Sequence, residues 1–227
     1  ETLATAESGQ TPEINLKAPP RELSLTPDIT EQPYSEYNIQ VTAEGFETVL
    51  VSGSEILAGA YSLQPIRMNP LDVTEEEKVV VIPPHTFFGE YPPKIPEEEI
   101  KPMNETGEIV LSRVVIPEYV IVHDGDPEDP TARNYWVRYK DYIKNVASSE
   151  IYPTWSESAI YANILVIQSF TLNRIFTEWY RGKGYDFTIT SSTAYDQKWI
   201  YGRNVFEEID YLVDSIFTNY LSRPGVR

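Results

Sequence analysis

The sequence predicts an α+β fold in which strands and loops come first and helices follow. Of 18 prolines, only Pro153 and Pro224 lie beyond Pro130. Proline lacks a backbone donor and is excluded from helix interiors and central strands, so the first half is strand and loop territory. Apolar residues alternate in short runs before residue 70, as half-buried strands require. After residue 140 they recur every three to four residues, the helical period. Three parts follow: a β-module over 1–70, a proline-rich connector over 71–115, and a mixed α/β domain over 116–227 with a central buried helix.

Within 1–70, Tyr37–Val41 and Phe46–Val51 alternate across Ala43-Glu-Gly45, which predicts a hairpin. Tyr61–Leu63 and Ile66–Met68 predict a further strand interrupted by Pro65. In the connector, Val79–Ile82 is one short strand, Pro83-Pro84 and Pro92-Pro93 stiffen the chain, and Glu97–Glu99 and Asn104–Gly107 are solvated. A protease would cut most easily there.

In the last part, Tyr119–Val122 reads as a buried strand and Tyr135–Tyr139 as an alternating one. A first helix is expected over about Lys140–Ile151. A second opens on the capping box Thr154-Trp-Ser-Glu157 and runs to about Tyr180, where Gly182 and Gly184 supply left-handed geometry. Nearly apolar all round, it is the expected central core helix. A third starts at the cap Asn204, with Val205, Phe206, Ile209, Leu212, Val213, Ile216, Phe217 and Tyr220 as its core stripe.

Charge and composition exclude several functions. The chain has 227 residues and a net charge of −17, so nucleic acid and anionic membranes are disfavoured partners. It has no cysteine, which removes disulfides, thiolate catalysis and Cys-ligated metals. No apolar run reaches the length of a membrane span. The opening residues lack the pattern of a signal peptide and no Met begins them, so a fragment or processed form is expected. His85 is expected on a surface loop, and His123 with Asp124 and Asp126 at a solvated strand end rather than at a metal.

Glu150 is the candidate with chemistry. Ile143, Val146, Ala147 and Glu150 share one helical face, and Pro153 stops the helix just beyond. A carboxylate on a core-facing stripe must be paired, protonated or used. Arg174 is the structural partner it would have if it only held the fold together.

Three segments carry a resemblance: 142–155 around Glu150, 162–174, and 184–197 from Gly184-Tyr-Asp186 to Thr193-Ala-Tyr-Asp-Gln197. They resemble the SpoIID/LytB family of peptidoglycan lytic transglycosylases, most closely the clostridial SleC-type spore cortex-lytic enzymes. Where that family has Ala-Glu-Met-Pro, this chain has Ser149-Glu-Ile-Tyr-Pro153, one residue longer. The run Tyr37–Val51 resembles a carboxypeptidase-regulatory-like (transthyretin-like) β-sandwich, here incomplete.

The resemblance implies cleavage between MurNAc and GlcNAc with Glu150 as acid and then base, forming 1,6-anhydro-MurNAc. It implies a substrate-binding set of Tyr152, Trp155, Tyr195, Asp196 and Gln197, with Trp199 as a further wall. It implies peptidoglycan strands as partner, an extracytoplasmic place at cell wall or spore cortex, and an activating protease at the connector. Some members hold zinc with Cys and His after Gly-Tyr-Asp. Thr188–Tyr195 has neither, so no metal and no cofactor are expected. The family's C-terminal Ser-Gln-x-Gly segment is also missing, so an incomplete cleft is expected. The alternative reading is a non-catalytic wall or glycan-binding protein with a degenerate SpoIID-like domain.

Overall fold

The computed structural model describes residues 1–71, 77–96 and 113–222. The solvated stretches Glu97–Glu99 and Asn104–Gly107 lie outside the described residues. The fold is α+β, with three helices and strands in three small sheets among the described residues.

The expected hairpin forms as β1 (Tyr34–Val41) and β2 (Val49–Leu57), paired antiparallel. Gly45 turns the chain between them at φ 79°, a conformation that glycine adopts without a Cβ penalty. β3 is only Ser62–Leu63. β4 (Lys78–Val81), drawn from the expected connector, lies parallel on β2 and gives the sheet the order β1-β2-β4. A second sheet has the order β6-β5-β7, from β5 (Tyr119–His123), β6 (Asn134–Arg138) and β7 (Ile189–Thr190). The two-residue β8 (Val205–Phe206) pairs antiparallel with β3 in a separate two-stranded sheet, which ties the C-terminal region to the segment after β2.

Helix α1 spans Tyr139–Glu150, α2 spans Glu157–Phe176 and α3 spans Glu207–Ile216. In α1, Tyr142, Ile143, Val146 and Ala147 are wholly buried, and the same core takes Tyr34 and Leu57 from the first sheet. Residues on both sides of the expected connector thus share one core. α2 buries Ile160, Ile164, Ile167 and Leu172 but leaves Tyr161 and Val166 exposed. It is therefore sided rather than buried all round.

Helix starts differ from the sequence pattern. Ser156, not Thr154, caps α2, its Oγ accepting from the Ala159 N–H at 3.3 Å. Thr154 is buried and its hydroxyl pairs with that of Ser24 at 2.6 Å. α2 also ends at Phe176, short of Tyr180, because Glu178 turns left-handed at φ 50° and sends Trp179 and Tyr180 into a small cluster with Ile121 and Phe187. Asn204 does not cap α3. Its amide clamps β2, accepting from the Glu55 N–H at 3.2 Å and donating to the Glu55 carbonyl at 2.9 Å.

Next to that clamp, Arg203 and Glu55 form an ion pair with neither side chain exposed, at 2.6 Å from Nη2 to Oε2. Arg203 Nε also donates to the Ser148 carbonyl of α1 at 2.8 Å. One guanidinium therefore joins β2, α1 and the approach to α3. Removing one partner from such a pair costs about 3–5 kcal/mol, since the other charge stays buried alone.

Candidate functional site

Glu150 is the last residue of α1, on the stripe that puts Ile143, Val146 and Ala147 in the core. The chain leaves the helix at Ile151 in an extended conformation, as the approach to Pro153 demands. The helix end lifts the carboxyl partly out of the core, so it is half-buried. Its Oε1 accepts the backbone N–H of Lys198 at 2.7 Å. No ion pair reaches it among the described residues.

Burial pushes the Glu150 carboxyl up to about 7; the Lys198 N–H and the nearby charge of Lys94 pull it back only in part. Such a group is near half-protonated at neutral pH. It can donate a proton, and the same N–H and cation favour the carboxylate left behind. That suits a group that must act as acid and then base.

Residues 83–96 bracket Glu150. The Thr86 N–H and hydroxyl both donate to the Ser149 carbonyl, at 3.3 and 2.9 Å. The Ile95 N–H donates to the Ala194 carbonyl at 2.8 Å, and Lys94 Nζ reaches the Tyr195 and Asp196 carbonyls. The Lys198 ammonium lies 5.2 Å from the centroid of the Tyr91 ring. After a turn at Thr86–Gly89, closed by the Phe88 and Gly89 N–H groups on the His85 carbonyl, the stretch runs on from the last turn of α1 to the 190s loop.

Several of the other expected site residues are bound into the fold. Asp196 is buried and fully used: Oδ1 accepts from Arg174 Nε at 2.8 Å, and Oδ2 accepts from the Tyr180 hydroxyl, the Thr190 N–H and the Thr190 hydroxyl at 2.7 to 2.9 Å. Arg174 is thereby the partner of Asp196 and not of Glu150. Gln197 is buried too, its Oε1 accepting from Tyr142 and Thr171 and its Nε2 donating to the Ile167 carbonyl. Both side chains point into the fold, because the helix carbonyls and hydroxyls there need partners.

Tyr152 is 4% exposed and its ring stacks on His85 at 4.5 Å. His85 is correspondingly fully buried rather than on a surface loop, and burial with Arg203 nearby holds it neutral, well below the usual histidine range. Trp155 is half-buried; its Nε1 donates to the Ser24 carbonyl at 3.1 Å and its ring packs near Phe87. Tyr195 is half-buried beside the Glu150 loop, with its hydroxyl on Asp126, which raises it above the usual tyrosine range. His123 is also buried, not solvated: it sits between Asn134 Oδ1 at 2.7 Å and the Asp126 carbonyl at 3.0 Å and stacks on Phe187.

The contributions of Lys198 and Lys94 were not visible in the sequence. One acts through a backbone N–H, which any residue could supply, and the other lies more than fifty residues away in the connector. Among the described residues, no group of three His, Asp or Glu side chains is placed to hold a metal ion, and no helix is long and apolar enough to cross a membrane. Two surface cavities, of about 150 and 530 Å³, are lined by residues other than Glu150. No family model matches the chain, and no curated protein or solved structure matches it either.

Proposed function

We propose that the chain is a peptidoglycan lytic transglycosylase in which Glu150 is the single acid and base. One observation carries the reading: a half-buried carboxyl, raised to about 7, that meets a backbone N–H and no counter-ion among the described residues. A carboxylate serving only the fold would be paired, as Asp196 and Glu55 are.

In this mechanism protonated Glu150 donates to the glycosidic oxygen and the bond from the MurNAc C1 to that oxygen breaks. The C6 hydroxyl of the same MurNAc attacks C1 and its proton passes to the Glu150 carboxylate. A C1–O6 bond replaces the broken one, the acid is regenerated, and no water is consumed. This differs from glycosidases that need two carboxylates. The substrate class puts the working place outside the cytoplasm, at cell wall or spore cortex.

The test is digestion of purified cortex peptidoglycan with the wild-type chain and with Glu150→Gln, followed by separation of muropeptides. The wild type is expected to yield 1,6-anhydro-MurNAc ends and the variant none. Sedimentation of the wild type with peptidoglycan, without such ends, would replace the reading with a non-catalytic wall-binding protein.

A further inference from the structure

Away from Glu150, the larger cavity is a groove of about 530 Å³ between β2–β4 and the edge strand β6. Its volume falls within the usual range for small-ligand sites. Asp141, near the start of α1, lines it, so it opens by the end of α1 opposite Glu150.

Two features set the groove apart. The first is its rings. Tyr135 packs 5.0 Å from Tyr201 and 5.3 Å from Trp199, and at the rim Trp136 is 72% exposed, with Tyr119 tilted 6.5 Å away. Trp136 and Tyr119 together leave an open pair of rings at the rim, the side-chain type enriched at binding hot spots. The second is charge. Over the whole chain Asp and Glu outnumber Lys and Arg by 35 to 18. In the groove the balance reverses: Arg67, Lys78 and Arg138 line it against Asp141 alone. Arg67 and Arg138 have no ion pair among the described residues, and the Lys78 ammonium lies 5.6 Å from the Tyr201 centroid.

The groove is also rigidly floored. Gly202 takes φ 72° there, and a Cβ on it would come within 2.5 Å of Val80 Cγ1. Flat rings suit the apolar faces of pyranose rings, and cations at the rim suit carboxylates attached to them.

We propose that this groove binds a carboxylate-bearing glycan, with Trp136 as the stacking platform and Arg67 and Arg138 reading the carboxylates. The proposal rests on the glycan reading given above but not on Glu150 being the acid. Trp199 lines the groove while the adjacent Lys198 N–H holds Glu150, so one short loop touches both places.

The test is calorimetric titration of the full chain carrying Glu150→Gln, which excludes turnover. The probes are a GlcNAc–MurNAc tetrasaccharide, a neutral GlcNAc tetramer and a poly-glutamate peptide. The MurNAc-containing probe is expected to bind about tenfold more tightly than the neutral one, and to weaken about tenfold in Trp136→Ala and again in an Arg67→Gln, Arg138→Gln double variant. All of these side chains are exposed, so circular dichroism should be unchanged.

Equal affinity for the neutral probe, indifference to both sets of substitutions, or no binding would overturn the proposal. Preference for poly-glutamate would overturn it in favour of a peptide site. Intact binding in a protein whose wild type makes no 1,6-anhydro ends would leave the groove standing and remove only the acid. Product formation by a wild type that binds none of the probes would do the reverse.

Discussion

Two carboxylates beside one short stretch of the 190s loop are held in opposite ways. Asp196 is sealed in with Arg174, Tyr180 and both donors of Thr190. Glu150 accepts a single N–H from Lys198 and remains half-buried. Both are acidic residues close to a helix, so residue type alone does not separate a carboxylate built into the fold from the one proposed as the acid. Partner count and exposure do. Asp196 has four donors around it, whereas Glu150, with a single donor and a partly apolar setting, is left near its neutral form.

Substitution can break this contrast from either side. The largest expected effect is on chemistry. Glu150→Gln should lower release of 1,6-anhydro ends by roughly 10²–10⁴-fold, the usual contribution of a general acid, with little loss of melting temperature. Asp196→Asn should do the converse. Leaving Arg174 buried without its counter-charge is expected to cost about 3 kcal/mol or more in a urea-unfolding measurement. A variant at Asp196 that kept full stability but lost activity would reverse the assignment of the two residues.

A titration sharpens the contrast further. The Glu150 carboxyl is raised to about 7 in the folded chain, above the ordinary carboxyl range it has when unfolded. The folded state therefore holds its proton longer. Stability from this group is fully present below the ordinary value and is lost as pH rises through about 7. Melting temperature measured from pH 4 to 8 should fall along that window in the wild type, and the fall should be smaller in Glu150→Gln. Activity should decline over the same upper limb, as the acid form disappears. The smallest effect expected is at the helix cap: Ser156→Ala should cost about 1 kcal/mol by removing the acceptor for the Ala159 N–H, without altering product chemistry.

Much of the architecture was legible in the pattern of residues. The hairpin of β1 and β2, the strands β5 and β6, and all three helices follow from period and proline placement. The Glu150 stripe was legible for the same reason, since α1 keeps its 3.6-residue period up to the proline-directed stop. The misreadings share a cause. His85, His123 and Asn204 are polar residues that local sequence places on loops or caps, but each is buried by partners distant in the chain. Asn204 clamps Glu55. No local period encodes such a meeting. The groove was hidden likewise, because Arg67, Lys78, Trp136 and Tyr201 lie on segments far apart in the sequence and line one cavity only in the fold.

The Glu55–Arg203 pair has a consequence for how the chain reaches this state. Its partners are 148 residues apart. Closing a loop of that length costs roughly 4 kcal/mol of chain entropy before either charge is compensated. The hairpin of β1 and β2 is local and can form early, but on its own it would present an uncompensated glutamate on its second strand. Docking onto α1 and the segment before α3 therefore comes late, and the rate of folding is governed by distant contacts rather than by the speed of hairpins and helices. The first sheet is a part of the molecule that matures only when the last hundred residues have folded against it.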